Sequence, residues 1–140
     1  MTKRRVLILC TGNSARSQMA EGLFRHEAGN RFEVHSAGTK PGFVRDEAIA
    51  VMSEVGIDIT GHWSKSVNEF AGQDFDYVIT VCGNAQESCP VFPVKTCRMH
   101  WPFEDPAAVE GSEDQRRGAF RKVRDQIQTR IRSFLDENGF

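Results

Sequence analysis

Short apolar runs alternate along the chain with longer stretches in which apolar residues recur at helical spacing. The apolar or alternating runs predict four strands, at residues 5–9, 32–36, 77–81 and 94–99. The helical spacing predicts three helices, at residues 17–28, 46–55 and 112–135. Gly29 and Gly56 follow the first two helices, as residues that end helices often do. The pattern is typical of an α/β protein.

The order of these elements restricts the fold. Alternating strands and helices are joined by right-handed crossovers, which build a parallel sheet with helices on both faces. The 140 residues contain no repeat or low-complexity segment and match the size of one domain. We therefore predict a single domain over residues 1–140, a three-layer α/β/α sandwich with a central, mainly four-stranded parallel sheet.

Composition and charge narrow the function classes. A formal net charge of −1 creates no field that attracts nucleic acid or an anionic membrane, so any anion site must be local. No apolar run approaches the roughly 18 residues that span a bilayer. The apolar run of residues 6–9 is too short for a secretion signal. We predict a cytoplasmic protein that binds neither nucleic acid nor membrane.

The four cysteines are numerous for a cytoplasmic domain of this size. Cytoplasmic thiols are kept reduced, so the count favours catalysis or metal binding over structural disulfides. The alternative is that each cysteine is a small buried apolar residue. Cys10, Ser36 and Cys82 lie at the carboxyl ends of predicted strands, which is the ligand-binding edge of a parallel sheet. We expect these three side chains to converge there.

The segment from Cys10 to Ser17 has the composition of an anion-binding loop between a strand and a helix. Gly12 and Asn13 tolerate left-handed backbone, so successive N–H groups can surround an anion at the helix N-terminus. Arg16 can add a bidentate contact. The same positive field is expected to lower the pKa of the Cys10 thiol, and Ser17 can donate a hydrogen bond to the thiolate. A tight turn with a capping serine and a buried cysteine is the structural alternative. The predicted oxyanion-binding residues are Thr11, Gly12, Asn13, Ser14, Ala15 and Arg16.

These residues resemble a known family. Cys10, Arg16 and Ser17 form a Cys-x5-Arg-Ser motif after the first strand. It is similar to the motif of the low-molecular-weight protein tyrosine phosphatases and of the thioredoxin-coupled arsenate reductases that share their fold. The resemblance continues at residues 13–21, 36–38, 55–59, 81–83, 100–101 and 105–106. It implies a low-molecular-weight phosphatase-like fold and a monomer.

The resemblance to the arsenate reductases implies a reaction with three thiols. Cys10 attacks arsenate, and Asp105 in an Asp-Pro pair protonates the leaving oxygen; the neighbouring Glu104 does not match the motif. Cys82 then attacks Cys10 and releases arsenite, and Cys89 attacks Cys82 and frees Cys10. The implied external reductant is thioredoxin, with no bound cofactor and no metal. The implied catalytic residues are Cys10, Arg16, Ser17, Cys82, Cys89 and Asp105.

A phosphomonoesterase of the low-molecular-weight tyrosine phosphatase type is the first alternative. It needs only Cys10, Arg16 and Asp105, because water completes the reaction. Phosphatases of this fold hold the phenyl ring with aromatic residues after the Asp-Pro pair. This chain has Ala107 and Ala108 there, which provide no such wall.

A zinc-binding module is the second alternative. Its ligands would be Cys82, Cys89, Cys97 and His100, but the separations of six, seven and two residues do not match the usual cysteine pairs of zinc sites. The thiol relay predicts no stoichiometric zinc. In the relay, Cys97 has no catalytic place and is expected to be either buried or only incidentally reactive.

Residues outside the motif receive supporting roles. Asn13 and Ser36 are expected to brace the anion loop. Lys65 is expected to supply the positive charge that some members of the similar family obtain from a potassium ion. The four histidines receive no role, and Trp63 and Trp101 are predicted to be packing residues.

Overall fold

The computed structural model describes residues 3–82 and 95–140. Its strands are β1 (Arg4–Cys10), β2 (Phe32–Gly38), β3 (Tyr77–Thr80) and β4 (Cys97–His100). Its α-helices are α1 (Arg16–Ala28), α2 (Asp46–Ser53) and α3 (Glu113–Glu137), and two short 3₁₀ turns cover Val67–Phe70 and Pro106–Ala108. Within these residues, no helix is both long and apolar enough to cross a membrane.

The four strands form one parallel sheet in the order β2-β1-β3-β4. Leu7 in β1 pairs with His35 of β2 on one side and with Val78 of β3 on the other. Because all strands run in the same direction, their carboxyl ends lie at one edge. The predicted α/β class with a four-stranded parallel sheet is confirmed.

Both faces of the sheet are covered. Side chains alternate between the faces along a strand, so Phe32 and His35 of β2 point in opposite directions. The Phe32 ring lies 5.0 Å from that of Phe24 in α1 and 6.5 Å from that of Phe134 in α3. The His35 ring lies 5.2 Å from that of Phe70, at the end of the first 3₁₀ turn. Long helices therefore cover one face, and a 3₁₀ turn contributes to the layer on the other.

Element boundaries differ from the predicted ones by a few residues. Helix α2 ends at Ser53, two residues early, and the chain then turns through Gly56 with φ +78°. Strand β4 begins at Cys97, which pairs with Tyr77 at the start of β3. The predicted pattern located each of these elements, and tertiary pairing determined where each one ends.

The last residue of β2 lies directly against the loop that follows β1. Gly38 pairs with Cys10, and a Cβ atom at Gly38 would lie 2.5 Å from the carbonyl oxygen of Thr11. That distance is too short for any side chain. Glycine therefore permits the close approach of this strand to the loop.

Candidate active site

The loop between β1 and α1 has the form of an anion cradle. Asn13 adopts left-handed backbone with φ +48°, whereas Gly12, which would also tolerate that conformation, does not adopt it. Helix α1 begins at Arg16, no side chain caps its first turn, and that turn contains no acidic residue. The helix N-terminus therefore presents backbone N–H groups and a positive dipole to the loop.

Asn13 holds this loop in place from inside the protein. Its side chain is fully buried, and its Nδ2 donates to Ser17 Oγ at 2.8 Å and to Ser36 Oγ at 2.9 Å. Its Oδ1 accepts hydrogen bonds from Gln18 Nε2 at 3.0 Å and from the backbone N–H of Lys65 at 2.9 Å. One amide thus joins the loop to β2, to α1 and to the segment before the first 3₁₀ turn.

A buried carboxylate lies behind Asn13. Glu21 is 5% exposed, and its Oε1 accepts a hydrogen bond from Ser36 Oγ at 2.6 Å. Burial alone would raise the pKa of Glu21, but the hydrogen bond from Ser36 and the nearby His62, Lys65 and Arg25 hold it below its ordinary value. Glu21 is therefore a charged anchor for the network that reaches the loop.

Lys65 is buried beside this carboxylate. It is 7% exposed, its Nζ lies 3.7 Å from Glu21 Oε1, and the same atom donates to the backbone oxygen of Trp63 at 2.9 Å. Burial lowers the pKa of Lys65, and the charge of Glu21 opposes that effect. The ammonium group of Lys65 therefore lies next to the carboxylate behind Asn13.

The thiols of Cys10 and Cys82 meet at the other end of the loop. Cys10 ends β1, Cys82 follows β3 by two residues, and both are buried, at 4% and 7% exposure. The two thiols are within hydrogen-bonding distance, and Thr11 Oγ1 lies 3.2 Å from Cys82 Sγ. The expected convergence of Cys10, Ser36 and Cys82 on one edge is present, since Asn13 bridges from the loop to Ser36.

The expectation that the pKa of Cys10 is lowered is wrong. The hydrogen bond with Cys82 raises the pKa of the Cys10 thiol far above its ordinary value, and burial raises it further. The positive charge of Arg16 and the backbone N–H of Thr11 act in the opposite direction without prevailing. Two adjacent buried thiols resist carrying two negative charges, so the loop's field alone does not decide the protonation of Cys10.

Arg16 and Asp105 lie on the same side of the loop. Arg16 Nη1 donates to the carbonyl oxygen of Phe103 at 3.0 Å, and Arg16 Nη2 lies 3.8 Å from Asp105 Oδ2. The Asp105 side chain is 45% exposed, and its Oδ1 accepts a hydrogen bond from the N–H of Ala107 at 3.0 Å. The carboxyl is therefore held near the guanidinium and remains accessible to solvent protons.

The remaining predicted residues have different positions. Ser17 is fully buried and its Oγ accepts from Asn13, so its own proton is available for donation. Cys89 lies outside the described residues. Cys97 is exposed, so the alternative that it is buried is wrong.

The zinc alternative has little geometric support. Cys97 pairs with Tyr77 at the start of β3, whereas Cys82 lies five residues further along the chain, beyond the end of that strand. At about 3.3 Å per residue, the two cysteines are on the order of 16 Å apart, too far to share one ion. Among the residues described, no group of three or more metal-ligating side chains is present.

Known proteins share this arrangement of fold and loop. The family model described as low molecular weight phosphotyrosine protein phosphatase matches residues 5–138. The chain belongs to that family. Within it, a relative from Shouchella clausii (strain KSM-K16), named arsenate reductase, is 42% identical over 136 residues, which cover 97% of this chain and 98% of that protein.

Solved structures agree with this assignment. An arsenate reductase in its oxidized state has a TM-score of 0.82 and 33% identity, over 96% of this chain and 98% of that one. A thioredoxin-dependent arsenate reductase from Corynebacterium glutamicum has a TM-score of 0.76 and 29% identity, over 96% of this chain and 61% of that one. Relatives named arsenate reductase are thus similar to this family member in both sequence and fold.

Three residues of this family member that contact the network around Asn13 escaped the sequence analysis. Gln18 donates to Asn13, Glu21 accepts from Ser36, and His62 lies 3.3 Å from Glu21, although no role was expected for any histidine. A signal for the first two was present. Gln18 and Glu21 are polar residues in a helix that also buries Met19, Ala20 and Gly22 around them.

Proposed function

We propose that this chain is an arsenate reductase that uses Cys10 as nucleophile and a thiol relay through Cys82 and Cys89. The observation that carries the proposal is the hydrogen-bonding contact between the buried thiols of Cys10 and Cys82. A phosphatase has no use for a second thiol at that place. An enzyme that must deliver two electrons to arsenic needs a second thiol beside the first.

In the first step, arsenate binds to the backbone N–H groups of residues 11–16 and to the Arg16 guanidinium. Cys10 attacks arsenic, a sulfur–arsenic bond forms, and the departing hydroxyl takes a proton from Asp105 and leaves as water. Because the pKa of Cys10 is raised, its proton is transferred in this step, and an oxygen of the bound arsenate accepts it. Ser17 then donates a hydrogen bond to the sulfur.

In the second step, the Cys82 thiolate attacks the Cys10 sulfur. The sulfur–arsenic bond breaks, and its electron pair reduces arsenic from As(V) to As(III), which leaves as arsenite. Cys82 lies beside Cys10, and its sulfur lies 3.2 Å from the Thr11 hydroxyl. Cys89 next attacks Cys82, which frees Cys10 and leaves a Cys82–Cys89 disulfide.

Thioredoxin is the proposed reductant of that disulfide. The support is the similar structure from Corynebacterium glutamicum, which is described as thioredoxin-dependent. We further propose that the protein acts in the cytoplasm as a monomer and binds no resident cofactor. Disulfide exchange with an external dithiol is sufficient for the reaction.

Asn13, Ser36 and Lys65 are proposed to brace the anion loop. Asn13 and Ser36 are joined by a hydrogen bond of 2.9 Å, and the backbone of Lys65 donates to Asn13. The ammonium group of Lys65 supplies a positive charge next to Glu21, so no potassium ion is needed there.

Phosphomonoester hydrolysis is the second candidate function. The family that the chain belongs to favours it, and phosphate and arsenate are both tetrahedral oxyanions. Ala107 and Ala108 in the second 3₁₀ turn offer no aromatic wall for a phenyl ring. We therefore propose it only as a weak side activity.

A coupled assay with thioredoxin, thioredoxin reductase and NADPH tests the relay. Cys82→Ser and Cys89→Ser should each abolish turnover of arsenate, while p-nitrophenyl phosphate hydrolysis is retained. Cys97→Ser is the matched control, because that exposed cysteine has no place in the relay and should not affect turnover. Arsenate turnover that survives in both relay variants would favour the phosphatase or a different reductant.

A further inference from the structure

Two large aromatic side chains are exposed beside the anion loop. Phe43 is 67% exposed and Trp63 is 64% exposed, more than the other large apolar side chains on the described surface, Val55 at 40% and Val109 at 39%. A single exposed apolar residue is ordinary. Two exposed aromatic residues on segments that both contact the anion loop indicate a contact surface.

Phe43 and Trp63 are each next in sequence to a residue that donates a hydrogen bond to the carbonyl oxygen of Gly12. The N–H of Gly42 donates to Gly12 O at 3.2 Å and to Ser64 Oγ at 3.0 Å. Ser64 Oγ in turn donates to Gly12 O at 2.9 Å. Phe43 follows Gly42 and Trp63 precedes Ser64, so the two aromatic residues flank one point of the anion loop. We call this pair the aromatic rim.

A cation supports each ring of the aromatic rim. Lys65 Nζ lies 4.8 Å from the centre of the Trp63 ring, and Lys65 is itself fixed by Glu21. Arg45 Cζ lies 5.7 Å from the centre of the Phe43 ring, and the backbone N–H of Arg45 donates to Ser14 O at 2.9 Å. Rings fixed in this way lose little conformational freedom on binding, which is a property of interface anchors.

The substrate does not explain the aromatic rim. Arsenate is a small dianion that the loop's N–H groups and Arg16 can surround completely. An aromatic ring contributes most where a larger partner covers it and excludes water. Arg45 and the exposed Lys40 have no salt bridge with a carboxylate among residues 3–82 and 95–140, so the charge here suits a partner with acidic groups around an apolar patch.

We propose that Phe43 and Trp63 dock the protein reductant, a thioredoxin-class dithiol protein whose thiolate must reach the relay. The inference rests on the proposed function. Thr11, whose hydroxyl contacts Cys82, is the neighbour of Gly12, whose carbonyl accepts hydrogen bonds from the sequence neighbours of both aromatic residues. A small transient interface of about 600 Å² per partner has a radius of roughly 14 Å, enough to include Cys82 and the rim together.

The test separates docking from chemistry. For Phe43→Ala, Trp63→Ala and the wild type, we would measure the KM for thioredoxin at saturating arsenate. We would also measure the rate of arsenite formation in a single turnover of the prereduced enzyme without reductant. We expect the KM for thioredoxin to rise about tenfold in each variant, and the single-turnover rate to remain within about twofold of wild type. Trp63→Phe should restore most of the affinity, and Val55→Ala is the matched control.

Three results would overturn the inference. An unchanged KM for thioredoxin in both variants removes the aromatic rim from the interface. A fall in single-turnover rate, or a raised KM for arsenate or p-nitrophenyl phosphate, means that the rings act on the loop or on the small substrate. If the wild type forms no arsenite in a single turnover, the proposed function itself fails, which is distinct from a rim that does not bind.

Discussion

The two sides of the anion loop are built differently. On the inner side, Asn13 is fully buried and makes four side-chain hydrogen bonds, and Glu21 behind it is surrounded by Ser36 and Lys65. On the outer side, Asp105 is nearly half exposed and lies 3.8 Å from Arg16. Several hydrogen bonds fix the position of the side chains on the inner side, whereas few contacts fix Asp105 on the outer side.

In the proposed mechanism, the inner side supports the loop and the outer side takes part in proton transfer. A group that belongs to a buried network contributes to stability, because its loss leaves partners unsatisfied. An exposed group such as Asp105 can exchange protons with solvent, and it makes few contacts that its loss would leave unsatisfied. Substitutions on the inner side should therefore lower both stability and rate, whereas substitutions on the outer side should lower the rate alone.

Of the substitutions on the two sides of the loop, Asp105→Asn should slow arsenate turnover most. Loss of the proton donor should slow arsenate turnover by about 100-fold or more. The melting temperature should stay within about 1 °C, because the side chain is exposed and the amide oxygen can still accept from Ala107. Steady-state kinetics and thermal denaturation measure the two quantities. Glu104→Gln is the control and should change neither; if it slows turnover equally, the general acid is misassigned.

Asn13→Ala should reduce both the stability of the fold and the rate of arsenate turnover. Its hydrogen-bond partners would be left unsatisfied in a buried site, so we expect a loss of about 2–4 kcal/mol in the free energy of unfolding. Turnover should fall about tenfold or more because the loop loses its support. Denaturant titration measures the first effect, with the exposed Asn68→Ala as control. Unchanged stability would contradict the description of a braced inner side.

Potassium should have little effect on the wild type. Lys65 already places a positive charge 3.7 Å from Glu21, so potassium chloride and sodium chloride at equal ionic strength should support the same rate. Lys65→Met should lower stability, since it leaves the buried carboxylate with fewer positive neighbours. A severalfold stimulation of the wild-type rate by potassium would count against this role for Lys65.

The smallest expected effect is a shift in the pKa of Cys10, which belongs to the buried thiol pair at the other end of the loop. Cys82 raises the pKa of Cys10, so Cys82→Ala should lower that pKa and make the thiolate available at lower pH. The pH dependence of Cys10 alkylation by iodoacetamide, monitored by mass spectrometry, gives the midpoint in each protein. A midpoint that stays in place or moves upward would show that burial, not the neighbouring thiol, dominates.

Local features could be predicted from the sequence, and long-range ones could not. The loop was recognisable because Cys10, Arg16 and Ser17 lie within eight residues at a strand–helix junction. The bond from Lys65 to Asn13 spans 52 residues, and its partners are not apparent before the fold is known. The pKa of Cys10 was predicted in the wrong direction for the same reason, because Cys82 lies 72 positions away in sequence.

Neighbouring strands of a sheet run about 4.8 Å apart, and each residue advances the chain by about 3.3 Å. Leu9 pairs with Thr80, so Cys10 lies one residue beyond that pair in β1, and Cys82 lies two residues beyond it, past the end of β3. Extending the line of β3 by two residues gives a diagonal of roughly 6 Å between the two Cα atoms, inside the interval that a disulfide spans. The register of β1 against β3 therefore places the backbones of the two cysteines at a separation that suits a disulfide.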